Sequence, residues 1–170
     1  MTALVLMVLP FITTFDEFLT AIVMRSNAYV AIQNLIVPYE GKMIAVILRA
    51  FGYTAYTSGS IIIIPEALRI YISWNCIGWQ SLVLFAMTLL TGLRGPYTLR
   101  SKALCVLIGV QGTLLLNLLR ISSVILVALF AGYLPALIFH DYGGTALVVL
   151  WLVFYWHMAF HHILRDEANN

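Results

Sequence analysis

The sequence predicts an all-α polytopic membrane protein, with about four transmembrane helices, interfacial helices near its start and a short extracytoplasmic β-hairpin. Three observations lead there. Hydrophobic residues make up 62% of the 170 residues and charged residues only 9%, with a mean hydropathy of +0.98, a balance that no soluble domain of this size needs. Two uncharged runs, 77–93 and 103–119, flank the basic loop Arg94-Gly95-Pro96-Tyr97-Thr98-Leu99-Arg100-Ser101-Lys102, which is the pattern of an antiparallel helix pair. Before residue 76 a punctuated, alternating stretch replaces the helical texture. Length and apolar content together leave one integral-membrane domain over 1–170 and no room for a soluble module. The net charge of +2 gives no reason to expect a nucleic acid partner.

The elements follow in chain order. Thr2 to Ile12 has the length of a signal-peptide core but lacks a basic n-region and a small-x-small cleavage site, so it is read as retained. Running on to Phe15, it forms the first membrane helix, with Asp16-Glu17 at its outer end. Blocks 18–24, 28–37 and 42–51 are apolar but broken by Arg25, Asn27, Pro38 and Glu40-Gly41. Each is too short to cross alone and is expected to lie in the interface or to re-enter. A rival topology joins 28–51 into one span and puts Pro38, Glu40 and Lys42 in hydrocarbon, which is costly without partners.

From Tyr53 to Trp74, Gly52, Gly59 and Pro65 punctuate a stretch rich in Tyr, Thr and Ile. Leu68, Ile70, Ile72 and Trp74 alternate with Arg69, Tyr71, Ser73 and Asn75, which indicates a half-buried strand. Pro65-Glu66 turns a hairpin whose second arm leads into Cys76. Open sheet edges are not tolerated in lipid, so the hairpin belongs outside the bilayer.

The helix pair comes next, and its second member continues past Arg120 to Phe130 until Gly132-Tyr133-Leu134-Pro135 breaks it. A loop, His140-Asp141-Tyr142-Gly143-Gly144, then leads to a last span from Thr145 to Phe160 that ends in His161, His162 and Arg165. The basic loop is short and free of acidic residues, which places it in the cytoplasm. Cys76 and Arg120 each lie eighteen residues from that loop. At about 1.5 Å per helical residue that is roughly 27 Å, near the thickness of a hydrocarbon core. Both residues therefore reach the outer face at one depth, with one crossing before Tyr53, and the chain that returns from Pro135 brings His140 back to them.

A thiol attacks as thiolate, a form favoured beside a helix N-terminus, a cation or an imidazole. Cys76 opens the helix that begins at Ile77, Arg120 offers a guanidinium for thiolate or oxyanion, and His140 offers an acid and base. That set suits acyl transfer through a thioester. Each residue also has a plainer reading: Cys76 as small apolar filler, His140 as a loop histidine beside Asp141, and Arg120 as a snorkelling side chain. Arg120 stands apart because an arginine among apolar neighbours is expensive at membrane depth. Asn117 lies three residues before it, on the same helical face, where it can orient the guanidinium. Cys105 sits near the cytoplasmic loop, too far from Cys76 to form a bridge, so both thiols are free. His157, His161 and His162 are read as interface anchors rather than a metal site, and the four tryptophans as belt and packing residues.

Three blocks of this sequence resemble the signature of the exosortase and archaeosortase family: Trp74-Asn75-Cys76-Ile77-Gly78-Trp79-Gln80-Ser81, Asn117-Leu118-Leu119-Arg120-Ile121, and Phe139-His140-Asp141-Tyr142-Gly143-Gly144. The resemblance covers 42–145. It implies a multi-pass enzyme of the cell membrane, needing no metal or organic cofactor, with its site on the extracytoplasmic side. It further implies Cys76 as nucleophile, Arg120 as oxyanion or thiolate stabiliser and His140 as acid and base, with Asn117, Gln80 and Ser81 orienting or contacting substrate. The implied partners are membrane lipid and secreted proteins that end in a sorting signal: a short motif, a transmembrane helix and a basic cluster. Cleavage near the motif passes the new C-terminus to an anchor. Asn75, Ile77 and Gln80 depart from the commoner bacterial pattern around the cysteine and look more like the archaeal branch.

Two other classes remain open. A non-enzymatic assembly factor or scaffold would use Arg120 and Asn117 only to pair helices. A small transporter subunit would need Gln111, Asn117 and Arg120 to line an aqueous path, against which 85–90 and 103–108 offer almost nothing polar.

Overall fold

The computed structural model of the protein describes residues 20–21, 24–25 and 28–164. The expected first span, 2–15, lies outside the described residues, as does most of the 18–24 block.

Two helices open the described chain, α1 over Ala28–Leu35 and α2 over Val37–Ala50. The Pro38 that seemed to break this stretch sits in the first turn of α2, where a missing N–H costs nothing. The two helices meet at a bend of 42°, the geometry of a broken span or of a re-entrant loop. Both the re-entrant reading and the rival single span fit this bend. The polar residues of the stretch have partners: Glu40 meets Asn117, and the Lys42 ammonium lies 5.4 Å from the Tyr39 ring centre.

The expected hairpin is the larger part of a three-stranded antiparallel sheet in the order β1-β2-β3, formed by Tyr56–Ser58, Ile61–Ile64 and Leu68–Tyr71. Pro65-Glu66 does turn β2 into β3, with Glu66 at φ +61°. Strand β1 adds a further pairing, Thr57 opposite Ile62.

A 3₁₀ turn over Trp74–Ile77 follows, then α3 over Trp79–Gly92, the basic loop, and α4 over Leu99–Ala131. Thr98 caps α4 by accepting from the Ser101 amide at 3.3 Å. Helices α3 and α4 form the expected antiparallel pair, and α4 is 33 residues long. Gly132, at φ +87°, ends it.

The return path differs from expectation. Residues Tyr133–Ile163 form one continuous helical run of 31 residues, made of α5 (Tyr133–Ile138), a π-helical turn (Phe139–Gly143), α6 (Gly144–Met158) and a second π turn (Ala159–Ile163). The stretch read as a loop at His140 is thus helical, and its wide turn is what directs His140. Pro135 falls in the first turn of α5 and leaves the run intact.

With Trp74–Gly92, Leu99–Ala131 and Tyr133–Ile163, three helices are long and apolar enough to cross a membrane, or four with the bent pair. Two cores hold them. One joins α2, the sheet and the C-terminal half of α4 through Ile44, Leu48, Ile62, Ile72, Leu118 and Ile125. The other lies near the basic loop, around Phe85, Cys105 and Tyr155. Helices approach closely where α4 has glycine: a Cβ on Gly109 would strike Phe85 and Tyr155, and one on Gly112 would strike Trp151. Hydrogen bonds add to the packing, from Trp151 to Thr113 at 3.1 Å and from Trp156 to Thr88 at 2.9 Å. Both tryptophans therefore pack between helices.

Candidate active site

Three elements deliver the site. The 3₁₀ turn carries Cys76, α4 carries Arg120, and the π turn carries His140. The turn is held at its start, where the Trp74 amide donates to Gln33 Oε1 at 2.6 Å and the Cys76 amide to the Ser73 carbonyl at 2.9 Å. Gln33 also donates to Ser60 Oγ and the Ile72 carbonyl, tying α1, the sheet and the turn together. Gly78 closes the turn at φ +77°, a left-handed conformation that side chains resist. Cys76 therefore precedes α3 in a separate turn, one step further out than a simple helix start.

Two cavities meet at these residues. The larger, of about 330 Å³, is bounded by Cys76, Arg120 and His140, by the polar Ser73, Asn75, Gln80 and Ser81, and by the apolar Leu84, Met87, Val148 and Val149. The smaller, of about 180 Å³, has the same three residues on one side and Ile70, Tyr71, Ile72 and the α4 residues Ile121, Val124 and Ile125 on the other. Cys76, Arg120 and His140 thus form the partition between them.

The contacts within this partition are specific. The Cys76 thiol lies 3.5 Å from Ser73 Oγ, and the His140 imidazole lines the same two cavities as the thiol. His140 meets Asp141, Nδ1 to Oδ1 at 2.9 Å, an arrangement that fixes the ring and its tautomer. Arg120 lines both cavities with Cys76 and His140. Its guanidinium lies across Gly144, in the space a Cβ there would need, and its Nε is buried without a hydrogen-bond partner. Among the described residues no carboxylate pairs with Arg120. A thiol, an imidazole and a guanidinium are therefore assembled in one pocket.

The sequence model of the transmembrane exosortase family matches residues 2–157. The chain belongs to the transmembrane exosortase family. No curated protein and no solved structure matches it. Family membership and the apolar helices make this exosortase-family chain an integral membrane protein.

The remaining candidates divide. Gln80 and Ser81 line the larger cavity, with Gln80 donating to Asn75 Oδ1 and Trp79 Nε1 donating to the same oxygen at 3.3 Å. Among the described residues Asn117 makes no hydrogen bond to Arg120, and its Oδ1 and the Arg120 Nε are both buried without a partner. Its Nδ2 donates instead to Glu40 Oε1 at 2.7 Å and to the Cys76 carbonyl at 2.9 Å, because the side chain three residues earlier on α4 points to α2 and the turn. Glu40 and Gln33 were absent from the sequence-derived set. Glu40 could have been suspected from being acidic in an apolar stretch, whereas nothing in sequence marks Gln33. The histidines at the far end stack on one another, His157 and His161 with ring centres 4.3 Å apart.

Proposed function

We propose that this exosortase-family protein is a membrane cysteine transpeptidase of the archaeal branch, which cleaves the C-terminal sorting signal of secreted proteins and passes the new C-terminus to a membrane anchor. The observation that carries the reading is the shared lining of both cavities by Cys76, Arg120 and His140. A scaffold has no use for a thiol, an imidazole and a guanidinium gathered on the walls of two cavities.

The chemistry runs in two balanced steps. The Cys76 thiolate attacks the scissile carbonyl carbon, and Arg120 stabilises the negative oxygen of the tetrahedral intermediate. The C–N bond breaks, and His140 gives its proton to the departing amine. An acceptor amine, or water, then attacks the thioester while His140 takes the proton, and the Cys76 thiolate leaves. Asp141 holds the ring through both steps. An arginine without a carboxylate partner at this depth suits a group that meets its anion only when substrate reacts.

The larger cavity supports the substrate class. Its lining combines the polar Ser73, Asn75, Gln80 and Ser81 with the apolar Leu84, Met87, Val148 and Val149, which suits a chain that passes from an extended motif into an apolar segment. The basic loop supports a cytoplasmic position for the opposite end of α3 and α4, hence a cavity on the extracytoplasmic side of the cell membrane. Asn75, Ile77 and Gln80 support the archaeal branch.

The test is processing of a co-expressed secreted protein with a C-terminal sorting signal by Cys76→Ala, Arg120→Ala and His140→Ala variants. Accumulation of the uncleaved precursor is expected with each. Normal processing by Cys76→Ala would sink the proposal.

A further inference from the structure

Glu40 is the one charged side chain buried among the described residues, 8% exposed. It stands in α2 beside a core of Ile44, Leu48, Ile77 and Leu118, where a leucine would satisfy packing alone. A carboxyl in such a place is costly and asks for a reason beyond stability. Its contact supplies one. The Asn117 amide nitrogen spends one proton on Glu40 Oε1 at 2.7 Å and the other on the Cys76 carbonyl at 2.9 Å. One side chain therefore joins the buried carboxyl to the backbone of the nucleophile.

A second observation concerns Gly78. A Cβ there would come within 2.6 Å of Asn117 Cγ, so the turn's closing residue must be bare for the amide to lie against it. The start of the turn is fixed from α1 by Gln33, and its end is fixed from across the bundle by Asn117. Neither Glu40 nor Asn117 lines either cavity.

We infer that Glu40 is a positioning residue which, through Asn117, fixes the Cys76 turn so that the thiol stays registered with His140 and Arg120. The inference rests on the proposed cysteine chemistry. Without the carboxyl, the Asn117 amide loses one of its two acceptors and is free to rotate. The turn then drifts, and a small displacement of a nucleophile is enough to slow reaction while substrate binding is unaffected.

The test compares Glu40→Leu, Glu40→Gln and Asn117→Ala in the full chain purified in detergent. Two rates are read: alkylation of Cys76 by a maleimide, and kcat and KM for processing of a sorting-signal substrate. Glu40→Leu and Asn117→Ala are expected to lower kcat and slow alkylation, each on the order of tenfold, with KM unchanged. Glu40→Gln, whose amide oxygen still accepts from Asn117, restores both rates. The double variant Glu40→Leu/Asn117→Ala is no worse than either single one, as for members of one chain of contacts. Wild-type alkylation and kcat in a folded Glu40→Leu chain overturn the inference. If that chain does not fold, wild-type rates in Asn117→Ala overturn it equally. Alkylation needs no substrate. Alkylation that responds to Glu40, alongside a wild-type chain that processes nothing, would refute the proposed function and leave this inference standing.

Discussion

Arg120 and Gly144 share one space: the guanidinium lies across Gly144, where any side chain on α6 would have to go. The arginine is thereby given its place by the absence of a side chain at Gly144. Gly144→Ala should push the guanidinium off its position while leaving the helix intact, since alanine favours helix. Processing is expected to fall by about tenfold or more at unchanged protein level. A fully active Gly144→Val variant would show that the position of Arg120 does not matter.

Gly78 is the second sensitive glycine. Its φ of +77° costs an alanine about 1–2 kcal/mol, before the collision with Asn117 is counted. Gly78→Ala should lower the thermal midpoint in detergent and also reduce processing. Unchanged values of both would mean that the turn closes in some other way.

The two thiols should behave differently. Cys105 is fully buried, with its sulfur 2.8 Å from the Tyr155 hydroxyl, which itself donates to the Cys105 carbonyl at 2.5 Å. A membrane-impermeant maleimide should label Cys76 and spare Cys105, and mass spectrometry of the labelled chain reads the result directly. Tyr155→Phe removes the buried hydroxyl that bonds the Cys105 thiol and carbonyl and should cost about 1 kcal/mol without loss of processing.

Topology provides an independent check. Thr98→Cys, in the basic loop, should be reached by an impermeant thiol reagent only after the cells are opened, and Tyr142→Cys, on the π turn, in intact cells. The reverse pattern would put the cavity in the cytoplasm.

Much of this site was legible from energetics and order along the chain. An arginine eighteen residues from a basic loop has few roles, and a cysteine at the same distance on the other arm had to share its depth. What sequence could not show was set by distant partners. Glu40 gains its meaning from Asn117, 77 positions away, so in sequence it looked only like a break in an apolar stretch. The bonds from Asn117 to Glu40 and the Cys76 carbonyl were not legible because helical spacing gives a face and not the element packed on it. Paired glycines after His140 looked like a loop, yet they serve close packing: a Cβ on Gly143 would come within 2.7 Å of Phe139, and one on Gly144 would meet Arg120. Strand β1, three residues long, is too short to leave a period.

The account turns on Cys76 as the nucleophile, and a trapped intermediate tests that most directly. The wild-type chain, mixed with a sorting-signal substrate and quenched in acid, should carry the processed substrate joined at Cys76 through a hydroxylamine-sensitive thioester, mapped by mass spectrometry. An adduct on another residue, or turnover with no adduct in a chain that still processes as Cys76→Ala, would contradict it.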